Sequence, residues 1–487
     1  MHPKPLAGLL LAAWCGTLSA PGQSTNNSPP PAPRRPSIIL IMADDLGYGD
    51  IGCYGQSRIK TPNIDRLAAE GIRFTDFYAG STVCSPSRAT LMLGQHTGHV
   101  KIRGNARGAS LSPDDVTLAS VLKNSGYRTA LLGKWGLAEE GSPGVPQRVG
   151  FDEFVGYLSN VEAHNYYPDF IWRYDPPRTN HGGFDGKMAY PENGGAKKNT
   201  YVPDLLTKAA LSYIKINKPD QFNRYRPFFL FLSYNIPHAN NEEGRRTGNG
   251  MEVPGDAPYS DEQWSPPEKN KAAMITRMDA DIGRILEQLK QSRIETNTIV
   301  IFTSDNGPHR EGGVDPKFHN SSGGLRGIKR DLYEGGIRVP MIVRWPQRIK
   351  PGQVSDFPWA MWDLLPTAAD MALTKPPENT DGISVYPLLI GRAQTNRHDF
   401  LYWEFHERGF QQAARMGDWK AVRPQRDEPL ELYNLKTDLS EKENVAQKNP
   451  EVVAKFENYF KNARTDDPQW PMKKPEVKGT NAPAARQ

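Results

Sequence analysis

Ser37-Ile38-Ile39-Leu40-Ile41-Met42-Ala43-Asp44-Asp45-Leu46-Gly47 is the stretch that decides the architecture of this 487-residue chain. From Ser37 to Ala43 the run is almost wholly apolar and never alternates with polar residues, the pattern of a strand covered on both faces. It ends abruptly at two carboxylates. Thr129 to Leu132, Phe228 to Leu232 and Thr298 to Thr303 look alike, and helix-like stretches lie between them at 63–71, 117–124, 205–215 and 272–290. This alternation predicts an α/β fold, a mainly parallel sheet sandwiched by helices.

Ligands of an open α/β sheet gather outside the carboxyl ends of its strands. The first strand runs into Asp44-Asp45, and the Thr298 run leads into Ser304-Asp305-Asn306-Gly307. Either group alone reads as a turn or helix cap. Together they bring three carboxylates and an amide to one sheet edge, hard oxygen donors that suit Ca²⁺ or Mg²⁺ better than Zn²⁺.

At the N-terminus, His2 and Lys4 precede an apolar stretch from Leu6 to Trp14 and then small residues at Ser19 and Ala20. That layout predicts a secretory signal peptide over 1–20. A disordered tether over 21–36 follows from its Pro, Asn and Ser content. The main domain is expected over 37–396. Beyond it, Phe400 to Phe405, Gln412 to Met416 and Trp419 to Val422 read as short strands, and Glu451 to Ala463 as a closing helix. These predict an antiparallel-sheet subdomain over 397–465 and a flexible tail over 466–487. No later apolar run approaches the roughly 20 residues of a membrane helix, so an exported, periplasmic or secreted protein without a stable membrane span is expected.

Sixty basic residues against 55 acidic ones give a net charge of only +5, which argues against a nucleic-acid partner. A mildly basic cleft for an anion remains compatible with it. Of the three cysteines, Cys15 is expected to leave with the signal. A disulfide between Cys53 and Cys84 is open, but a chain of this size needs no such staple.

Cys84-Ser85-Pro86-Ser87-Arg88-Ala89-Thr90-Leu91-Met92-Leu93-Gly94 places a cysteine ahead of a helix with an arginine nearby, a plausible anion site. The segment resembles the Cys-x-Pro-Ser-Arg motif of the type I, formylglycine-dependent sulfatases of the alkaline-phosphatase-like superfamily, in particular their arylsulfatase A and N-acetylgalactosamine-6-sulfatase-like members. Leu93 stands where threonine is usual. Gly126 to Trp135 resembles the second family motif, with Lys134 as its sulfate-contacting lysine and Gly136 where histidine is common. His164, in Glu162-Ala163-His164-Asn165-Tyr166-Tyr167, is a candidate substitute, weighed against a loop histidine without a role. The segment Ser233 to His238 resembles the one whose histidine faces sulfate. Gly327 to Pro340 supplies Lys329 as a second sulfate-binding lysine, with Glu334, Gly335, Gly336 and Arg338 bracing the turn. The resemblance runs from about Ser37 to at least Ala446.

It implies a sulfuric ester hydrolase that releases inorganic sulfate. Cys84, oxidised to 3-oxoalanine (formylglycine) by a maturation enzyme, would act with Arg88, Lys134, His238 and Lys329. One Ca²⁺ would be held by Asp44, Asp45, residue 84, Asp305 and Asn306, and His164, Lys134 and Lys329 would contact substrate. A hydrated aldehyde offers two oxygens, one to attack sulfur and one to expel sulfate, where a serine or thiol would stay trapped as the ester. Cationic side chains would neutralise the transferring group, with His238 as general acid. Two other readings stand beside this one. A two-metal phosphoesterase would need a His-rich ligand pair, which the sequence does not display. A non-catalytic calcium-dependent glycan-binding protein, with Cys84 left as a thiol, draws its weight from Gly136. Export, the Pro- and Gly-rich loops, and the aromatic pairs Tyr166-Tyr167 and Tyr402-Trp403 point to a sulfated glycan as substrate.

Overall fold

Alternate side chains of Ser37–Ala43 enter different cores: Ile38, Leu40 and Met42 pack on one face of the sheet, and Ile39, Ile41 and Ala43 on the other. Burying a side chain of this size contributes roughly 1.5–3 kcal/mol, and doing so on both faces explains why the run carries no polar alternation. The computed structural model describes residues 1–2, 35–177 and 182–472. The expected signal peptide beyond its first two residues, the tether up to residue 34, and residues 473–487 of the tail lie outside the described residues.

In chain order the strands are β1 (Ser37–Ala43), β2 (Ile72–Phe74), β3 (Phe77–Tyr78), β4 (Arg128–Lys134), β5 (Glu153–Tyr157), β6 (Phe170–Asp175), β7 (Phe184–Ala189) and β8 (Phe228–Ser233). They continue with β9 (Thr298–Ser304), β10 (Met341–Arg344), β11 (Gln353–Ser355), β12 (Trp359–Ala360), β13 (Leu401–Phe405), β14 (Gln411–Met416), β15 (Trp419–Arg423) and β16 (Glu431–Asn434). Ten of them form one sheet in the order β11-β2-β10-β9-β1-β8-β4-β5-β6-β7. Its centre, β9-β1-β8-β4-β5, is parallel throughout, while β6, β7 and β10 run antiparallel to their neighbours. Helices Cys84–Leu93, Leu118–Asn124 and Leu364–Met371 cover one face; Pro62–Ala69, Val202–Asn217 and Pro266–Gln291 cover the other. No helix among the described residues is long and apolar enough to cross a membrane.

Strands β13–β16 form a separate antiparallel sheet in sequence order. One face, with Trp403 and Val422, packs on Tyr78, Val83 and Trp362; the other, with Tyr402 and Leu432, packs under Phe456 and Phe460 of helix Pro450–Phe460. The described residues from Arg35 onward form one compact unit.

Two expectations are corrected here. Tyr402 and Trp403 are wholly buried on opposite faces of this sheet, with the Trp403 indole donating to Ala79 O at 2.9 Å, so neither can receive a glycan. The start of the expected tail is docked rather than free: Trp470 is buried and its indole N–H donates to Lys101 O at 2.8 Å.

Candidate active site

Register brings the two acidic turns together. Ala43 pairs with Ser304 at the ends of the adjacent parallel strands β1 and β9, so Asp44-Asp45 and Asp305-Asn306 emerge side by side. The Asp45 N–H donates to Asp305 Oδ1 at 3.1 Å, and Asp305 N–H to Ala43 O at 3.2 Å. Asp45 adopts φ 63°, a left-handed conformation that aspartate tolerates better than most residues. Strand β4 ends at Lys134 and β8 at Ser233, from which the chain turns through a cis Ile236-Pro237 bond to His238. Four neighbouring strand ends therefore converge at one edge.

Helix Cys84–Leu93 points its first residue at this edge, and every one of its residues is buried. Cys84 Sγ lies 3.4 Å from Asp44 Oδ1. Burial and the Asp44 carboxylate push the thiol well above its ordinary range, so it stands protonated. Arg88, one turn later, uses Nε and Nη2 on Asp305 Oδ2 (3.1 and 2.9 Å) and Nη1 on Lys134 O and Ser233 Oγ (both 2.6 Å). The guanidinium fork ties β4, β8 and β9 together, and most of its donors are committed to the protein itself.

Lys134 Nζ donates to Asp44 Oδ2 at 2.7 Å, and Lys329 Nζ to Asp45 Oδ2 at 2.8 Å. Lys329 Nζ is also 3.1 Å from His238 Nε2, while His238 Nδ1 bonds Ala239 O at 2.7 Å. Nδ1 thus carries the ring proton, and Nε2 accepts from Lys329. Burial and the Lys329 charge hold His238 well below its ordinary range. Burial alone would raise the Asp44 carboxyl, but Lys134, His238, Arg88 and Lys329 together hold it well below the carboxylate norm. Asp305 moves the other way: burial and the neighbouring Asp44 charge push it up against Arg88 and Lys134.

This donor set fits a hard divalent cation. Asp44, Asp45, Asp305 and Asn306 supply only oxygens, Asn306 Oδ1 is buried with no hydrogen-bond partner, and the burial and neighbouring Asp44 charge that raise Asp305 are what a bound cation offsets. Ligand atoms of Asp44, Asp45, Cys84 and His238 lie within 4.8 Å of one another.

His164 also reaches the site. Its ring stacks on His238, with centroids 4.9 Å apart and planes 11° apart, and its Nδ1 lies 3.0 Å from Glu242 Oε2. Gly136, at φ 74°, has no room for a side chain: a Cβ would come within 2.7 Å of Asn160 Oδ1 and 3.2 Å of Arg88 Cδ. Asn160 fills that space and donates to Ser85 Oγ at 2.6 Å. The brace expected of Glu334 and Arg338 is present, with Glu334 bonded to Tyr78, Arg338 and Lys420. Tyr166 is buried beneath the site, donating to His238 O at 2.6 Å, so it supports the loop and offers no glycan platform. Cys53 and Cys84 are both free thiols, and no disulfide joins them.

Sequence reasoning missed His309, Glu311, Asn160 and Glu242. Glu311 accepts from Arg330 Nη1 at 2.6 Å and lies 3.5 Å from Lys329 Nζ. His309 approaches Asp45 and Glu311 closely enough to suggest a second metal. However, its Nδ1 accepts from the Glu311 N–H at 3.0 Å and its Nε2 donates to Pro237 O at 3.0 Å, so both ring nitrogens are already used.

A mainly parallel sheet between helical layers, with carboxylates and cations gathered at its carboxyl edge, defines an enzyme of the alkaline-phosphatase-like class. The chain belongs to the sulfatase family: the Sulfatase family model matches residues 36–374, and a model for the N-sulphoglucosamine sulphohydrolase C-terminal region matches 328–466. It is a sulfuric ester hydrolase. Among its relatives, N-acetylgalactosamine-6-O-sulfatase of Bacteroides thetaiotaomicron is 30% identical across 94% of this chain and 98% of its own. Human arylsulfatase A is 33% identical over 80% of this chain and 75% of its own. The crystal structure of Ps i-CgsB in complex with k-i-k-neocarrahexaose superposes with a TM-score of 0.74 and 28% identity, covering 90% of this chain and 95% of that one.

Proposed function

We propose that this sulfatase hydrolyses carbohydrate sulfate esters after export, using formylglycine made from Cys84 by a maturation enzyme and one calcium ion. The observation that carries the reading is the convergence of Cys84 Sγ, Asp44, Lys134, Lys329 and His238 at a single edge, within contacts of 2.7 to 3.4 Å. The carbohydrate part is supported by the near full-length likeness to an N-acetylgalactosamine-6-O-sulfatase and by the likeness to a structure holding a neocarrahexaose.

Asp44, Asp45, Asp305 and Asn306 would hold the calcium ion, which supplies Lewis acidity toward ester and nucleophile oxygens. A formylglycine hydrate supplies the oxygen nucleophile and the second oxygen that allows sulfate to leave. Lys134 and Lys329 place positive charge near residue 84 and so would neutralise the sulfuryl group as its bonds change. Arg88 acts through Asp305, fixing its carboxylate. His238 Nε2 accepts from the Lys329 ammonium at 3.1 Å and orients it; with its ring proton on Nδ1, His238 would serve as the general acid expected of it only after taking a proton at Nε2. His164, stacked on His238, stands on the same side as a candidate contact for substrate.

The test is peptide mass spectrometry across Cys84, on protein from a host with a formylglycine-generating system, together with a sulfate-release assay on sulfated glycans. Loss of about 18 Da with sulfate release supports the reading. An unmodified thiol in a chain that still turns over sulfate esters overturns it.

A further inference from the structure

A cavity of about 420 Å³ adjoins the catalytic edge and is used by nothing described so far. It lies between the loop after β5, strand β6 and helix Asn241–Thr247. Glu242 links it to the chemistry, because this residue lines the cavity while its carboxylate holds His164, which stacks on His238. Tyr167, Phe170 and Trp172 contribute aromatic surface to the walls. A second cavity of about 280 Å³ shares Tyr167, Lys198, Glu243 and Glu252 with it, so the groove continues away from the catalytic edge.

Carboxylates outnumber cations among the residues that line this groove. Glu162, Asp169, Glu242, Glu243 and Glu252 line the larger cavity against Lys197 and Lys198. Lys198 is already claimed by Glu252 at 2.7 Å and Glu243 at 3.6 Å. Glu162 is fixed by the Leu158 and Ser159 N–H groups and the Trp172 indole at 2.9 to 3.1 Å. Glu243 is also held by Arg246 at 2.7 and 2.9 Å and Glu252 by Asn240 at 2.7 Å, so the acceptors turned to solvent are the exposed Asp169 and Glu242 carboxylates; beside the aromatic rings they suit hydroxyl donors and disfavour sulfate.

We propose that this cavity is a saccharide subsite for an uncharged, unsulfated sugar unit next to the one whose sulfate is removed. The inference rests on the carbohydrate reading above. The two pockets together orient the chain: sulfate is drawn to Lys134 and Lys329, and the neutral neighbour settles against Phe170 and Trp172.

The experiment compares three substrates of the matured enzyme: galactose- or hexosamine-based tetrasaccharides bearing one sulfate, the same chains sulfated on every unit, and 4-nitrophenyl sulfate. The singly sulfated chains should be preferred by about tenfold or more in kcat/KM, and Asp169→Arg, at an exposed position, should narrow that preference. Phe170→Ala should raise KM for the singly sulfated chains about tenfold while moving 4-nitrophenyl sulfate by less than about twofold. Equal turnover of both tetrasaccharide sets, unaltered by either substitution, overturns the subsite and leaves the carbohydrate reading standing. Turnover of 4-nitrophenyl sulfate with neither set cleaved overturns both.

Discussion

Arg88 grips Asp305 through two donors at 2.9 and 3.1 Å with both side chains essentially sealed from solvent, at 1% and 0% exposure. Removing one partner of such a pair leaves an uncompensated buried charge. Arg88→Met should therefore destabilise the fold by about 3–5 kcal/mol and abolish sulfate release. Arg88→Lys keeps the charge but not the fork, and should fall between. Urea unfolding of the two variants checks the order; equal stability of Arg88→Met and wild type would show that the brace is not needed.

Cys84→Ser retains a small polar side chain at the head of its helix but has one oxygen where the hydrate has two. It should accept a sulfuryl group once and stop, showing a stoichiometric burst and a stable sulfate ester at residue 84 on intact-protein mass spectrometry. Sustained turnover by this variant would be incompatible with the proposed chemistry.

Chelation should remove activity, and calcium should raise the unfolding midpoint of the chelated protein, by an amount equivalent to about 4 kcal/mol at a thousand times its dissociation constant. Asn306→Ala deletes the buried, unpartnered Oδ1 and should shrink that shift while preserving the fold in near-ultraviolet circular dichroism. An undiminished shift in the variant would place the ion elsewhere.

Burial opposes ionisation of Glu404, but the His406 hydrogen bond and the Arg103 and Arg464 charges prevail and hold its pKa at about 2. A depressed folded-state value means stability that is present above the unfolded carboxyl range, near 4.5, and lost as pH falls from there toward about 2. The contribution is on the order of 3 kcal/mol. Glu404→Gln should therefore be less stable than wild type at pH 7, and the gap should close as pH falls through that window. Thermal melts at pH 7, 4 and 2.5 measure it; a gap that widens toward acid would reverse the assignment.

At Gly136 any side chain meets both the left-handed backbone and Asn160 Oδ1, which lies 2.7 Å from the point a Cβ would occupy. Gly136→Ala should cost about 1–3 kcal/mol. Gly136→His should fail to gain activity, and Asn160→Gly in the same chain should recover part of the loss. Full activity in Gly136→His alone would mean that Asn160 moves freely.

The central strands were legible because their burial is two-sided: the unbroken apolar runs at Ser37, Phe228 and Thr298 admit no other placement. The acidic turns followed from the same runs, since they sit where those runs stop. Strands β5, β6 and β7 were missed because they lie toward one edge and mix polar with apolar residues, which weakens any periodic signal. Strand β10, short at Met341–Arg344, carries too few residues to show one. Tyr402-Trp403 was misread as a pointer to a glycan substrate because the C-terminal sheet is covered on both faces, by Trp362 on one side and Phe456 on the other, a tertiary fact that a four-strand pattern does not disclose. Glu311 and Glu242 reach the site from loops and a short exposed helix, and acidic residues in such segments look like any solvated charge.

The depth of Cys84 sets an order of events. With only 2% of the residue exposed, in a helix buried along its whole length, no second protein can close around Sγ once the sheet and the helices over it have formed. If Cys84 is oxidised to formylglycine as proposed, that oxidation would precede folding of the segment around it, and a molecule that folded first would keep its thiol. Specific activity in any preparation would then record the relative speeds of folding and modification during synthesis, and refolding purified thiol protein in the absence of its maturation partner would never raise it.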